Sequence, residues 1–518
     1  MARSVFIPRG VNKEGAQTVK HYTPRSWVEI HTPTARYGPA MKGAPASLDP
    51  SKSLLQWTFN KQLSSSNASD EIGTMDVTLT AGVPGKPQTT TWADLIQPMD
   101  LIVVYVGNSQ KTMRTRFIGY IQSVTMQVDT TSPQNPQRSV QIQASDLLMG
   151  LNTQILFLAY QLAFLDTPND SKAAQTAENL LTAFGEEVSA VGQSITGGSI
   201  GWLSYFTSFA PNQISQKNAL LLDPSSSARL LINDIATVLF NPVVKIGTSK
   251  FAGQASYRQL LSLCFADTSL FTGAQVFSQP QNGAIYDMIT QMSNAPFLEF
   301  FGDVRSADEQ TDIPVPSGTT GVMFGPDNAQ FCIVLRNTPY NTTSGLQGTA
   351  SNAFEQLEAV DAFLKDTSQQ SYGVDTSDVI NYYQTVPQGY LQSGSTFVSA
   401  VNASIPGKVD VGSALKYGLQ PLTVNVLGFP KEGGAFAPLT INQFNDTLYD
   451  WYKDNPAYVK GSIQVHGNPL LKVGKRVRLR NLDGHKWLDC YGEGVSETYV
   501  NMTSYTCNLT FSRGVYVG

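Results

Sequence analysis

The 518 residues include 35 lysines and arginines against 40 aspartates and glutamates, which gives a net charge of −5. This balance argues against a dedicated nucleic-acid binder, which normally carries a basic excess. A content of 41% hydrophobic residues argues against disorder. Only 14% of the residues are charged, and because interface centres are depleted of charge, this scarcity predicts a surface covered in part by partner subunits.

The N-terminal part is predicted to begin with an arm and to continue as β structure. Residues 1–24 form a basic arm, which is either a solvated tail or an extension onto a neighbouring subunit. Residues 25–150 are predicted as a first small β-barrel module, because short strands alternate with turn signals. In one long predicted strand, apolar residues at even positions are expected to lie on the same face of the sheet. They are Ile118, Tyr120, Val124, Met126 and Val128.

The middle of the chain changes character. Residues 151–280 are predicted as a mainly helical insert, with helices that begin after Asp170 and after Asp223. Residues 281–345 are predicted as an α/β segment, in which a helix ends before Pro296 and two apolar strands follow.

Residues 346–518 are predicted as a second β-barrel module with helical insertions. One insertion is expected to use an apolar helical face made of Phe354, Leu357 and Leu364. The four cysteines, none in a C-x-x-C spacing, are predicted as small buried residues. If a hairpin turns near Asn501, Cys507 is expected opposite Ser496.

Two stretches of three predicted strands resemble each other. They comprise residues 98–106, 116–128 and 138–148, and residues 472–480, 486–500 and 504–514. The resemblance predicts an internal duplication, in which Ile118-Gly119-Tyr120 falls near Tyr491-Gly492-Glu493. The predicted fold class is therefore α+β, mainly β, with two similar small antiparallel β-barrel modules and an intervening helical and α/β region.

A basic strand in the second module is the strongest charge feature of the sequence. On an alternating strand its arginines share one face, opposite Val477 and Leu479. This face is a solvated sheet surface, a salt-bridged surface against an acidic partner, or a contact with nucleic acid. The candidate interface residues are Lys475, Arg476, Arg478 and Arg480.

Patterns for catalysis and metal binding find little support. Residues 197–201 match G-x-S-x-G, but they lie in a Gly/Ser-rich loop without the strand–turn–helix that exposes a nucleophile such as Ser199. The four histidines form no close ligand pair. We therefore predict no enzyme activity, no catalytic residue, no cofactor and no metal site.

The C-terminal string of residues 461–514 resembles the central baseplate hub proteins of phage tails and related contractile injection machines. The family's G-x-P-x-(I/L)-x-V-G strand pair is matched by residues 467–477. Its Gly-Glu-Gly-Val-Ser strand is matched by residues 491–499, and its closing aromatic-Thr strand by residues 505–514. Glu497 stands where the family commonly has histidine.

The resemblance implies an architecture and a set of partners. Family hubs are homotrimers in which each chain supplies two tail-tube-like β modules, so three chains form a pseudo-sixfold ring. The ring adapts a hexameric tail tube to a trimeric central spike and forms part of the DNA channel. The implied partners are the chain itself, the tail tube, spike and baseplate wedge proteins, the tape measure protein, and phage DNA in transit, without stable membrane insertion.

The implied location is the virion tail baseplate, after synthesis and assembly in the cytoplasm of the bacterial host. The alternative is a tail-tip protein with receptor-binding or peptidoglycan-hydrolysing activity. A hydrolase would need a further domain, for which residues 151–280 offer the only room. A receptor-binding protein would display aromatic clusters on loops.

Overall fold

The computed structural model describes most of residues 24–155, 225–266, 283–339 and 354–517, and these residues make up the fold. The helix predicted after Asp170, the motif around Ser199 and nearly all of the N-terminal arm lie outside the described residues.

The first part of the described chain consists mainly of strands. They are β1 (Arg25–His31), β2 (Arg36–Tyr37), β3 (Leu54–Gln62), β4 (Thr74–Thr80), β5 (Leu101–Gly107), β6 (Arg114–Asp129), β7 (Gln137–Asp146) and β8 (Gln154–Ile155). Short 3-10 helices lie between or after them at Pro50–Ser53, Trp92–Asp94 and Leu147–Asn152.

The middle part mixes strands and helices. After a π-helical turn at Leu231–Ala236, the elements are β9 (Val243–Gly247), β10 (Ala252–Ser256), α1 (Tyr257–Leu260), β11 (Leu261–Phe265), β12 (Gly283–Ala284), α2 (Ile285–Met292), β13 (Leu298–Arg305) and β14 (Gln330–Asn337). A 3-10 helix at Ala307–Glu309 follows β13.

The last part returns to strands and carries two helices. Its elements are β15 (Ala359–Phe363), β16 (Thr367–Gly373), β17 (Tyr382–Gln388), β18 (Tyr390–Ser393), β19 (Thr396–Ser399), β20 (Lys408–Val409), α3 (Val411–Tyr417), β21 (Pro421–Leu427), β22 (Lys431–Glu432), β23 (Ala435–Phe436), α4 (Pro438–Tyr452), β24 (Val459–His466), β25 (Arg476–Arg480), β26 (Trp487–Tyr491), β27 (Gly494–Val500) and β28 (Ser504–Val517). A 3-10 helix at Asn455–Ala457 precedes β24.

One sheet joins the N-terminal and C-terminal parts of the chain. Its strand order is β15-β25-β26-β28-β27-β3-β4-β7-β6-β5-β1-β2, and β24 also belongs to it, paired with β28 and β16. Alternating residues such as Trp57, Val77 and Ile142 point into one hydrophobic cluster, to which Tyr499 and Tyr505 also contribute. The mainly β fold class is therefore confirmed, whereas closure of the strands into two barrels remains a prediction.

A smaller sheet forms the centre of the α/β segment. Strand β14 pairs antiparallel with β13 and parallel with β11. All residues of β11 and β13 are buried, as expected for strands that are covered on both faces. The helix predicted before Pro296 is α2, and it buries Ile285 and Ile289. The boundaries of the five predicted domains remain predictions.

The parity prediction for β6 was wrong. The pairing with β7 shifts register between Ile121 and Ser123, which is the mark of a β-bulge. Ile118 lies in the larger hydrophobic cluster, whereas Ile121 lies in the other cluster and Val124 packs against it. The extra residue at the bulge therefore places Val124 on the opposite face from Ile118.

Two smaller predictions in the second module were also wrong. Phe354 is helical, as predicted, but the helix does not continue to Leu364, because Ala359–Phe363 form β15, which pairs with β25; Leu364 itself lies outside the described residues. Cys507 lies opposite Glu497 and not opposite Ser496, because the register of the β27–β28 hairpin differs by one residue from the predicted register. All four cysteines are buried free thiols.

Candidate assembly interface

The first and last parts of the chain meet where β27 pairs with β3. The pairing is antiparallel and runs from Gly494 opposite Gln62 to Val500 opposite Gln56. On their other edges, β3 pairs with β4 and β27 pairs with β28. The contact is therefore an edge-to-edge junction between two sets of strands within one chain.

A buried ion pair fixes this junction. Nε of Arg116 on β6 donates to Oε2 of Glu497 on β27 over 2.8 Å, and both side chains are buried. The Tyr505 hydroxyl donates to the same oxygen over 3.1 Å, and the Arg116 guanidinium lies 4.6 Å from the centre of the Phe59 ring. Burial raises the pKa of Glu497, although Arg116 opposes that shift. A buried charge without its partner destabilises the fold, so the pair couples the two parts of the chain.

Aromatic packing across the junction adds to this coupling. Trp57 and Tyr499 lie directly opposite each other in the register, and their rings stack with centres 5.6 Å apart and planes at 17°. Such cross-strand aromatic pairs stabilise a sheet by about 0.2–1 kcal/mol each. The junction is thus a packed contact, in which Tyr499 joins a hydrophobic cluster formed mainly by the first part of the chain.

The lysines just before β25 are bound within the chain. Nζ of Lys472 donates to Oε2 of Glu309 over 2.7 Å, and Nζ of Lys475 lies 3.7 Å from Oε1 of the same carboxylate. Burial acts to raise the pKa of Glu309, but Lys472, Lys475 and Arg305 together hold it below its ordinary value. An acidic partner of the basic run therefore lies in the α/β segment of the same chain.

The arginines of β25 also have a partner within the chain. Arg476 is buried and pairs with Asp489, and Nε of Arg478 donates to the same carboxylate over 3.0 Å. The Arg478 side chain is 36% exposed, whereas that of Arg480 lies outside the described residues. Burial of Lys475 and Arg476 leaves Arg478 as the member of the described three that can reach a partner. The role of the four residues as an interface remains a prediction.

The two sets of strands that meet at the junction share one pairing order. In the first set, β5 pairs with β6, β6 with β7, β7 with β4 and β4 with β3, always antiparallel. In the second set, β25 pairs with β26. Both β26 and β27 pair with β28 and together take the place of β6. Strand β28 then pairs with β24, and β24 with β16, again always antiparallel. The equivalent strands also follow one another in the same order along the chain.

A shared irregularity fixes the register of this correspondence. The β3–β4 pairing shifts between Leu54 and Gln56. The β16–β24 pairing shifts between Thr367 and Gln369. Matching these bulges aligns Leu54 with Thr367, and the pairing of the following strands then aligns Val124 of β6 with Val495 of β27. The sets differ at their outer strands, because β1 is antiparallel to β5 whereas β15 is parallel to β25.

The described part of the chain shows neither a metal-binding cluster nor a membrane-spanning helix. It contains no group of three or more histidine, cysteine, aspartate or glutamate side chains placed to hold a metal ion. None of its helices combines the length and the apolar composition that crossing a membrane requires.

No protein-family model and no curated protein matches the chain. Among solved structures, it is similar to a tail protein from Neisseria meningitidis, at 9% identity and a TM-score of 0.45, over 94% of this chain and 96% of that one. It is also similar to a 43 kDa prophage MuSo2 tail protein from Shewanella oneidensis, at 7% identity and a TM-score of 0.42, over 94% and 98% of the two chains.

A third similar structure is the c3393 protein of E. coli, at 8% identity and a TM-score of 0.36, over 90% of this chain and 76% of that one. That protein is described as a component of the type VI secretion system with structural similarity to the T4 bacteriophage tail proteins gp27 and gp5. At these low identities and TM-scores, functional inference rests on the chain's own strand pairing. Two of the three similar structures are described as tail proteins, and the third as a component of a secretion system.

Proposed function

We propose that the chain is a structural hub of a phage-tail baseplate or a related injection machine. The observation that carries this proposal is the repeated strand order, with one bulge at equivalent positions in both sets. Because each chain holds two such sets, a ring of three chains presents six. A ring of this kind matches a hexameric tube on one side and a trimeric spike on the other.

The edge-to-edge junction within the chain supports the ring. Strands β27 and β3 already join the second set to the first in one sheet. If an equivalent junction joins the second set of one chain to the first set of the next, the contact is heterologous, and such contacts form a ring when the rotation closes. The proposed partners are two further copies of the chain, the tail tube protein and the central spike protein.

The proposed channel places a constraint on the basic strand. A lumen lined with arginine would bind DNA phosphates at every sequence and slow the passage of DNA. We therefore place Arg476, Arg478 and Arg480 away from the lumen, toward a partner or an outer groove. Within the chain, the carboxylate of Asp489 already neutralises part of the charge of Arg476 and Arg478.

The mass of the purified chain in solution tests this proposal. We expect light scattering to give a mass near three times the 56.2 kDa of one chain. The expected reason is the heterologous contact, which satisfies every copy only when the ring closes. A stable monomer at micromolar concentration would contradict the proposed function.

A further inference from the structure

The second half of β6 has a partner on one side only. Residues 123–129 pair with β7, and no described strand pairs with their other edge. The equivalent strand of the second set, β27, has β28 on one side and β3 on the other. By this correspondence, the open edge of β6 is the place where a strand equivalent to β3 belongs.

Strand β16 is open in the complementary way. It pairs with β24, and no described strand pairs with its other edge. Its equivalent in the first set is β3, which lies between β4 and β27. The open edge of β16 is therefore the place where a strand equivalent to β27 belongs. The strand of the first set that is equivalent to β27 is the second half of β6.

The two open edges lack the features that normally protect exposed strands. Proteins commonly place charges or proline on free edges to prevent pairing with other chains. Residues 122–128 and 367–374 contain neither a charged residue nor a proline, and charge occurs only at the ends of these edges, at Asp129, Asp366 and Asp375. Large apolar side chains are exposed on both: Met126 at 40%, Val128 at 51%, Tyr372 at 41% and Val374 at 59%.

We propose that β16 of one chain pairs antiparallel with the second half of β6 of a neighbouring copy, in a register set by the β27–β3 junction. This inference rests on the proposed function, and it names the residues that form the contact between neighbouring chains of the proposed ring. Transferring the register of the junction aligns Val124 with Val374, Thr125 with Gly373, Met126 with Tyr372, Gln127 with Ser371, and Val128 with Gln370.

The side chains that meet in this register support it. Met126 takes the position of Glu497, and Tyr372 takes the position of Phe59. Two exposed apolar side chains thus become a direct cross-strand pair, as do Val124 and Val374. A second copy is the fitting occupant because each chain offers both complementary edges, while its own two sets are already joined through β27 and β3.

Paired cysteines test the register. Residues directly opposite in an antiparallel pair have Cα atoms about 4.5–5.5 Å apart, within disulfide range. We expect Met126→Cys combined with Tyr372→Cys to give, under mild oxidation, a covalent species of three chains. A mixture of chains that carry only Met126→Cys with chains that carry only Tyr372→Cys is expected to give covalent pairs and nothing larger. The four native cysteines are buried, which limits their background reaction.

An off-register variant provides the matched control. Gln127→Cys combined with Tyr372→Cys places the two thiols on opposite faces of the sheet. We expect about tenfold less cross-linking from it than from the on-register pair, because disulfide geometry is strict. The uncross-linked mass of each variant is measured in parallel to verify that assembly is intact.

The outcomes separate the register from the proposed function. A mass of three chains with equal or no cross-linking in the two double variants overturns the register and leaves the proposed function standing. A disulfide within a single chain also overturns the inference. A monomeric mass for the unmodified chain overturns the proposed function, and this inference with it.

Discussion

Replacing Glu497 by alanine is expected to lower the free energy of unfolding by about 3–5 kcal/mol, the usual cost of removing one partner of a buried ion pair. The change leaves the Arg116 guanidinium buried without its carboxylate, and it also removes the acceptor of the Tyr505 hydroxyl. Since Arg116 lies on β6 and Glu497 on β27, the loss acts on the junction between the two sets of strands. Chemical denaturation of the variant and the unmodified chain measures it.

A surface ion pair on the same strand provides the control. Nη1 of Arg114 on β6 donates to Asp308 over 2.6 Å, but the Asp308 side chain is largely exposed. Asp308→Ala is therefore expected to cost no more than about 1 kcal/mol. The double variant Arg116→Met with Glu497→Leu should recover most of the lost stability, because apolar residues can replace a buried ion pair. A cost below about 1 kcal/mol for Glu497→Ala would contradict the proposed role of the pair.

Charge placed on the open edges is expected to prevent assembly. Met126→Glu buries a carboxylate against the neighbour's Tyr372 in the proposed register, and an unpaired buried charge is strongly unfavourable. Tyr372→Glu acts in the same way from the other edge. We expect light scattering to give monomers for each variant under conditions in which the unmodified chain forms trimers.

A charge pair provides the specific rescue. Met126→Glu combined with Tyr372→Lys places opposite charges directly across the strands, and such pairs are favourable. We expect this double variant to recover trimers, whereas Met126→Glu with Tyr372→Glu does not. The control Leu415→Glu alters an exposed position on α3 and should leave the mass unchanged. Full assembly of both single variants would count against the edge contact.

The strands of the sheet were predictable where one simple period operates. Strand β4 alternates buried residues with half-buried or exposed ones along its whole length, and β5 is an apolar run that is buried throughout. The bulge in β6 was not predictable in this way. Gln122 looks like an ordinary polar residue of an alternating strand, yet the register shift beside it moves all later side chains to the other face.

The partners of the charged residues could not be predicted, because pattern reasoning reads local sequence. Glu497 and Arg116 are 381 residues apart, and Lys472 and Glu309 are 163 residues apart. The basic run therefore resembled a surface feature, although most of its described members are buried against carboxylates. The sequence predicted a duplication from three strands in each set, whereas the match of β3 with β16 required the strand pairing order, and their bulges then set its register.

An electron cryo-microscopy map of the purified assembly tests the central claim most directly. The account predicts a closed ring of three chains, in which β16 of each chain lies beside β6 of the next and Met126 faces Tyr372. The ring would then repeat, between chains, the junction that β27 and β3 form within each chain. A ring in which the edges of β6 and β16 face solvent, or in which either edge pairs with another strand, would contradict the account.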